Sequence, residues 1–163
     1  AARRRGLAAA GAIDRAPMSC RTEIEVFAAD GELAERLRAA AQAALEAAGV
    51  GDGHLAITLV DRERMRALNR SHRGRDKATD VLSFPVDGSG PTAGPRELGD
   101  VVLCPPECED LVECTVHGVL HLCGYDHETD DGEMFALQER VLTGLRAPRN
   151  AVATPGSRGA GGC

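Results

Sequence analysis

The chain has 163 residues and a formal net charge of −6. This length is enough for one domain with a sizeable hydrophobic core. The acidic balance argues against a strongly basic nucleic-acid-binding protein. No apolar run approaches the length of a membrane span and we identify no signal peptide, so we expect a cytoplasmic protein without a membrane partner.

The two ends of the chain differ in composition from its middle. Residues 1–17 are rich in Ala, Arg and Gly, and residues 148–163 are rich in Gly, Ala and Pro. We expect both to be disordered, as an N-terminal extension and a C-terminal tail around one globular domain at residues 18–147. Met18 resembles a natural start, which would make residues 1–17 an upstream extension, and the mass of the natively expressed protein tests this.

Alternation and helical spacing predict the elements of the first half of the chain. Residues 23–28 alternate in polarity and are typical of a strand. Asp30 is placed to cap the helix that follows. Residues 55–59 alternate as a second strand, and Asp61 begins a short helix rich in arginine.

The second half continues with two strands and two helices. Residues 79–84 are predicted as a third strand and residues 100–104 as a fourth, separated by a Gly- and Pro-rich exposed loop at residues 87–95. A histidine-bearing helix follows, and Asp130 with Glu133 forms a capping box for the last helix. The order β-α-β-α-β-β-α-α predicts an α+β fold, a single domain with a small mixed four-stranded sheet packed against helices. One sequence does not give the strand order.

Three of the five histidines lie within eleven residues, at His117, His121 and His127. On a helix, a spacing of four places His117 and His121 on one face, about one turn apart. Gly124 offers a left-handed turn that can end the helix and bring His127 back to complete a triangle. Three neutral imidazoles suit one zinc ion and leave a fourth coordination position open, as catalytic zinc sites do. The alternative is a set of unconnected or hydrogen-bonded buried histidines.

The histidine spacing is that of the zinc-peptidase signature H-E-x-x-H-x-x-G-x-x-H, with one difference. Gly118 stands where the peptidases have the Glu that serves as general base. A zinc peptidase is therefore one alternative function, and Gly118 argues against it. Nickel and copper also accept three imidazoles, so the ligand types alone do not identify the metal.

Charge is distributed unevenly along the chain. Seven basic residues lie between Arg62 and Lys77, whereas nine acidic residues and no Lys or Arg lie between Pro105 and Glu133. The simple interpretation of the basic segment is a solvated helix face, and the functional one is a phosphate-binding surface.

The six cysteines lack C-x-x-C spacing. In a reducing compartment we expect them to be free thiols rather than disulfides. Cys104, Cys108 and Cys114 could bind a second metal ion, but their spacing matches no common zinc module.

Three blocks of the sequence resemble the YbeY family of bacterial endoribonucleases and rRNA maturation factors. They are residues 68–85 (LNRSHRGRDKATDVLSFP), residues 98–105 (LGDVVLCP) and residues 117–127 (HGVLHLCGYDH), in the family's order. The resemblance implies one zinc ion per chain, held by His117, His121 and His127. It also implies a single-strand-specific endoribonuclease of ribosome biogenesis, including 16S rRNA 3′-end maturation, with single-stranded RNA and the ribosome or its small subunit as partners and no DNA partner.

The resemblance also implies a catalytic arginine. In the family's pattern an arginine of the first block faces the metal cleft, and Arg73 is the matching position. The alternative role of Arg73 is a surface ion pair with Asp76 or Asp80. Asp126 is equally suited to orient His127 and to cap a turn.

The chain departs from the family pattern in two places near the site. His72 stands where the family usually has Tyr, which predicts a weaker wall of the site. Only twelve residues separate Cys104 from His117, fewer than usual, which predicts less support for the metal helix. A further alternative is a non-catalytic ribosome-associated factor with a structural zinc, in which His121→Ala should unfold the domain.

Overall fold

The structure, a computed structural model, describes residues 22–88 and 95–147. The expected extension at residues 1–17, the expected tail at residues 148–163 and most of the predicted loop at residues 87–95 lie outside the described residues. The elements are β1 (Thr22–Phe27), α1 (Gly31–Ala47), β2 (Gly53–Leu59), α2 (Arg62–Arg73), β3 (Val81–Pro85), β4 (Glu97–Leu103), α3 (Leu111–Leu122) and α4 (Glu133–Arg146). Their order is the predicted one, with a short 3₁₀ turn at Pro105–Glu107 before α3.

The four strands form one sheet in the order β1-β2-β4-β3. β1 and β4 both pair with β2 in parallel, whereas β3 pairs with β4 in antiparallel orientation. The predicted α+β fold with a mixed four-stranded sheet is therefore confirmed. The topology leaves β3 at one edge of the sheet, where it packs beside α3.

The helices cover the two faces of the sheet unequally. α1, α3 and α4 contact one another, and their apolar side chains pack with Val101 and Leu103 of β4 in the main core. Val102 points to the opposite face because side chains alternate along a strand. There it packs with Met65 of α2, Leu82 and Cys104 in a smaller cluster. The histidine-bearing helix thus lies on the better-covered face.

Gly118 lets α3 approach the sheet closely. A Cβ atom at Gly118 would lie 2.7 Å from Cγ1 of Val101, which is closer than such atoms can pack, and would make a tight contact of 3.0 Å with Cγ2 of Val81. The hydroxyl of Ser83 donates a hydrogen bond of 2.9 Å to the Gly118 carbonyl. Together these contacts set the position of α3 over β3.

Aspartates begin the helices, but not always in the predicted way. Asp30 accepts a hydrogen bond from the Leu33 amide at 2.9 Å and caps α1 as predicted. The predicted capping box at the start of α4 is wrong. Gly132 occupies the cap position with a φ of 94°, and this left-handed turn lets Asp130 accept from the Met134 amide at 2.9 Å.

Strand ends also differ from the prediction for local reasons. β3 begins at Val81 because the Asp80 carboxylate accepts the Val81 amide at 2.8 Å. Pro85 lies within β3 rather than after it, which an edge strand tolerates. Within the two described ranges, none of the helices is long and apolar enough to cross a bilayer.

Candidate metal centre

α3 brings the first two histidines together. Asp110 caps this helix by accepting from the amides of Val112 and Glu113, so six helical residues precede His117. The rings of His117 and His121 have centroids 4.8 Å apart, and their Nε2 atoms are separated by 3.2 Å. The short segment before His117 therefore still supplies a capped helix that packs on the sheet.

The turn after α3 brings the third histidine to the same place. Gly124 has a φ of 94°, and the chain then returns so that the His127 centroid lies 5.1 Å from that of His117 and 5.2 Å from that of His121. The ring of Phe135, from α4, packs against His127 with centroids 5.0 Å apart. One ligand atom from each of the three histidines lies within 4.8 Å of the others, so the predicted triangle is present.

Hydrogen bonds at Nδ1 of His117 and His121 leave the Nε2 atoms of both rings, which face each other, free. Nδ1 of His121 lies 2.9 Å from the Tyr125 carbonyl oxygen, which can only accept, so this nitrogen carries the proton. Nδ1 of His117 lies 2.9 Å from Oε1 of Gln138. In neutral rings with both Nδ1 atoms protonated, both Nε2 atoms present lone pairs to each other.

The facing lone pairs suit a cation. Burial lowers the pKa of His121, with the neighbouring His117 as the next cause, and the neutral imidazole is the form that binds metal. Nitrogens bound tetrahedrally to one zinc ion lie about 3.3 Å apart, given a zinc–nitrogen distance of about 2.0–2.1 Å. The observed separation of 3.2 Å between the two Nε2 atoms fits this arrangement.

The three histidines line a cleft of about 640 Å³, which we call the histidine cleft. Arg73, Arg75, Thr79 and Asp80 also line it. Arg73 is the last residue of α2, and Gly74 turns the chain there with a φ of 67°. The predicted arginine thus lines the same cleft as the histidines.

The carboxylates expected to compete for Arg73 have other partners. Both oxygens of Asp76 accept from Arg66, at 2.8 and 2.7 Å. Oδ1 of Asp80 accepts from the amide of the following residue. Within residues 22–88 and 95–147, Arg73 forms no ion pair with either aspartate.

A second hollow of about 400 Å³ lies beside the histidine cleft, and His117 and Asp80 line both. Its wall carries five carboxylates, at Asp80, Glu107, Glu109, Asp110 and Glu113, and we call it the carboxylate hollow. Of the two cavities, only the histidine cleft has arginines in its wall, and these stand beside the carboxylates of Asp80, Asp126 and Glu128.

Three other expectations are decided by contacts. The Asp126 carboxylate accepts from the Glu128 amide at 3.0 Å, and this bond lowers its pKa, so Asp126 caps the turn. His72 packs against the ring of Phe84 in a separate hollow and does not form a wall of the histidine cleft. Among the described residues, the three histidines form the one cluster with the geometry to hold a metal ion, and Cys104, Cys108 and Cys114 do not form another.

Two residues that contact the histidines were missed from the sequence, and both lie on α4. Phe135 is half-exposed and has no distinctive spacing. Gln138 can be recognised in the sequence, because it interrupts the apolar face formed by Met134, Leu137 and Val141. A buried polar side chain in such a face needs a hydrogen-bonding partner.

A model of the YbeY family, described as endoribonuclease YbeY, matches residues 20–146. The chain belongs to the YbeY family. It is 40 % identical over 139 residues to the endoribonuclease YbeY of Halorhodospira halophila, with 76 % of this chain and 90 % of that protein covered. It is 42 % identical over 140 residues to that of Geobacillus kaustophilus (72 % and 88 % covered) and 36 % identical over 126 residues to that of Persephonella marina (68 % and 82 % covered).

The position of Gly118 separates this YbeY chain from the zinc peptidases. Any side chain at this position would be driven into Val101 and Val81 of the sheet. A glutamate therefore does not fit here without moving α3. The peptidase base is absent for a packing reason as well as a chemical one.

Proposed function

We propose that the domain at residues 18–147 is a single-strand-specific, metal-dependent endoribonuclease that acts in ribosome biogenesis, including 16S rRNA 3′-end maturation. The observation that carries the proposal is the convergence of three imidazoles in a cleft that Arg73 also lines. The family match and the relatives named endoribonuclease YbeY support the reaction. Ribosomal RNA as substrate makes the small ribosomal subunit the proposed partner and the cytoplasm the proposed location.

His117, His121 and His127 are the residues that would hold the metal, and we propose one zinc ion per chain. When bound, such an ion supplies a Lewis acid that activates water and offsets charge on the phosphoryl group. The chain's own contribution is to orient the imidazoles of His117 and His121 so that their Nε2 atoms face each other. The contacts from Tyr125 to His121 and from Gln138 to His117 do this.

Arg73 and Arg75 are the proposed phosphate ligands. Both are exposed and line the histidine cleft. A guanidinium group can donate two parallel hydrogen bonds to a phosphate, which positions it as well as binding it. Fixed positive charge near the reacting phosphoryl group stabilises the charge that develops in the transition state.

Two features of the site favour this function over the alternatives. Gly118 leaves no room for the peptidase base. A structural zinc site is closed by four protein ligands, whereas the cluster among the described residues has three. The arrangement therefore suits an ion that keeps a position for substrate or water.

The test uses purified chain with a labelled single-stranded RNA oligonucleotide and the matching duplex. We expect cleavage of the single strand, loss of cleavage with a chelator and recovery when zinc is returned. His121→Ala should abolish cleavage while circular dichroism shows that most of the fold remains, because the helices still pack on the sheet. Metal analysis of the purified protein should find one zinc ion per chain.

Two results would contradict the proposal. One is RNA cleavage that persists in His121→Ala or in chelator. The other is unfolding of His121→Ala together with an inactive wild type, which would support a structural zinc instead. The product ends refine the chemistry, since a 2′,3′-cyclic phosphate would show attack by the RNA 2′-hydroxyl rather than by water.

A further inference from the structure

Gln138 is a buried amide whose two ends are both engaged. Its side chain projects from α4 toward α3 and the residue is 8 % exposed. Oε1 lies 2.9 Å from Nδ1 of His117, and Nε2 lies 3.3 Å from Oε1 of Glu113. A buried polar group joined in this way to a metal-binding histidine calls for a functional explanation as well as a structural one.

The partners of this amide determine its direction. A side-chain amide can be turned by 180°, and only its neighbours decide which end is the acceptor. The ionised carboxylate of Glu113 can only accept, so the NH₂ end of Gln138 faces Glu113. The carbonyl end then faces His117, and Nδ1 of His117 must donate.

This direction fixes the tautomer of His117. A neutral imidazole carries one proton, so a proton held on Nδ1 leaves the lone pair on Nε2. Nε2 is the nitrogen that faces His121 at 3.2 Å. The Glu113 carboxylate, on the rim of the carboxylate hollow, therefore directs the Gln138 amide. This amide in turn leaves the Nε2 lone pair of His117 directed at the metal centre.

We propose that Gln138 is a positioning residue of the metal centre, which holds His117 in its metal-binding tautomer and is itself directed by Glu113. The inference rests on the proposed function, because it assumes that the three histidines hold the metal. The position of His121 is different, because its Nδ1 donates to the backbone carbonyl of Tyr125. His117 is thus the helix-borne ligand whose tautomer a side-chain substitution can change.

The experiment compares three variants with the wild type. Gln138→Leu keeps the volume but removes both hydrogen bonds. The double variant Glu113→Gln/Gln138→Glu exchanges the two groups. An acceptor again faces Nδ1 of His117, now the carboxylate at position 138, and the new amide at position 113 donates to that carboxylate. Thr115→Val is the control, because Thr115 is buried in α3, the helix of His117, and among the described residues its hydroxyl bonds only to the Leu111 carbonyl, at 2.7 Å.

Two quantities are measured for each protein. Long-range ¹H–¹⁵N spectra of the zinc-free protein, at a pH where the imidazoles are neutral, show which nitrogen of His117 carries the proton. Competition with a chromophoric chelator gives the zinc affinity. In Gln138→Leu we expect a mixture of His117 tautomers and a zinc affinity about 10–100-fold weaker, the usual cost of removing an outer partner of a ligand.

The exchanged pair should return both the Nδ1–H tautomer and the zinc affinity to the wild-type range, and Thr115→Val should change neither. An unchanged tautomer in Gln138→Leu overturns the inference even if affinity falls, because the residue would then act by packing alone. A changed tautomer with unchanged affinity also overturns it. If the wild type binds no metal, the proposed metal centre fails, and the tautomer measurement alone then decides whether Gln138 directs His117.

Discussion

The two groups of residues that line the histidine cleft, which we call its histidine side and its arginine side, are held in different ways. On one side, His117 and His121 are half-buried on α3, and each has its Nδ1 hydrogen-bonded. On the other side, Arg73 and Arg75 are exposed at the end of α2 and just beyond it. Metal ligands must be held in one geometry, whereas a phosphate contact through a long charged side chain can adapt to its substrate. The histidine side, which we call the rigid side, therefore lies where the core can support it.

The difference predicts that removing a ligand from the rigid side has the largest effect. In His121→Ala we expect zinc affinity and the rate of RNA cleavage each to fall by more than about 100-fold. Removing a metal ligand should cost more than removing a residue that only hydrogen-bonds to a ligand. Metal analysis and single-turnover cleavage measure the two effects. Residual cleavage near the wild-type rate would show that the histidine side does not carry the reaction.

Removing charge from the arginine side should have a smaller effect of a different kind. We expect Arg73→Gln to lower kcat/KM by about 100-fold, as loss of one electrostatic donor does. The slope of log affinity for RNA against log salt should also fall by about one.

Arg70→Gln is the matched control, because Arg70 is on the same helix but lines a separate hollow with Arg66 and Asp76. Arg70→Gln should change kcat/KM only slightly. Equal losses in the two variants would indicate a general electrostatic surface and would remove the special role of Arg73.

The close approach of α3 to the sheet can be tested by stability. Gly118→Ala would place a Cβ atom 2.7 Å from Cγ1 of Val101, so we expect a net loss of about 1–2 kcal/mol in the free energy of unfolding. Gly144→Ala is the control, since Gly144 is an exposed residue of α4 where an added Cβ atom would meet nothing within 4 Å. There the gain in helix propensity should raise stability by about 0.5–1 kcal/mol. Urea unfolding distinguishes the two, and equal changes would contradict the packing argument.

The smallest effect is expected away from the cleft, at His54 on the sheet. The hydrogen bond to Glu97 raises the pKa of His54, and Glu25 adds to this. The charged form is therefore favoured by folding, and its contribution is complete below the unfolded pKa of about 6.5 and is lost as pH rises through the folded value.

His54→Gln tests this contribution. It should lower the free energy of unfolding by less than about 1 kcal/mol, because the partners are partly exposed. The loss should be greater at about pH 5.5 than at about pH 8.5. A loss that does not depend on pH would assign the effect to packing.

The sequence by itself determined the elements and the candidate ligands. Alternating polarity and helical spacing predicted, in order, all eight helices and strands of the described residues, because these patterns reflect which face of each element is buried. The spacing of His117 and His121 predicted their pairing, because one helical turn brings such residues together whatever the rest of the fold does.

Only the tertiary structure decided the strand order, the surroundings of Arg73 and the contacts of Gln138. Each depends on residues distant in sequence, such as Glu113 and Gln138 on separate helices. Gly118 shows the same point. Its place in the histidine motif shows from the sequence that the peptidase Glu is missing, but only the contact with Val101 shows why no side chain fits. Local periodicity records burial along one element, whereas the meeting of two elements depends on how the whole chain packs.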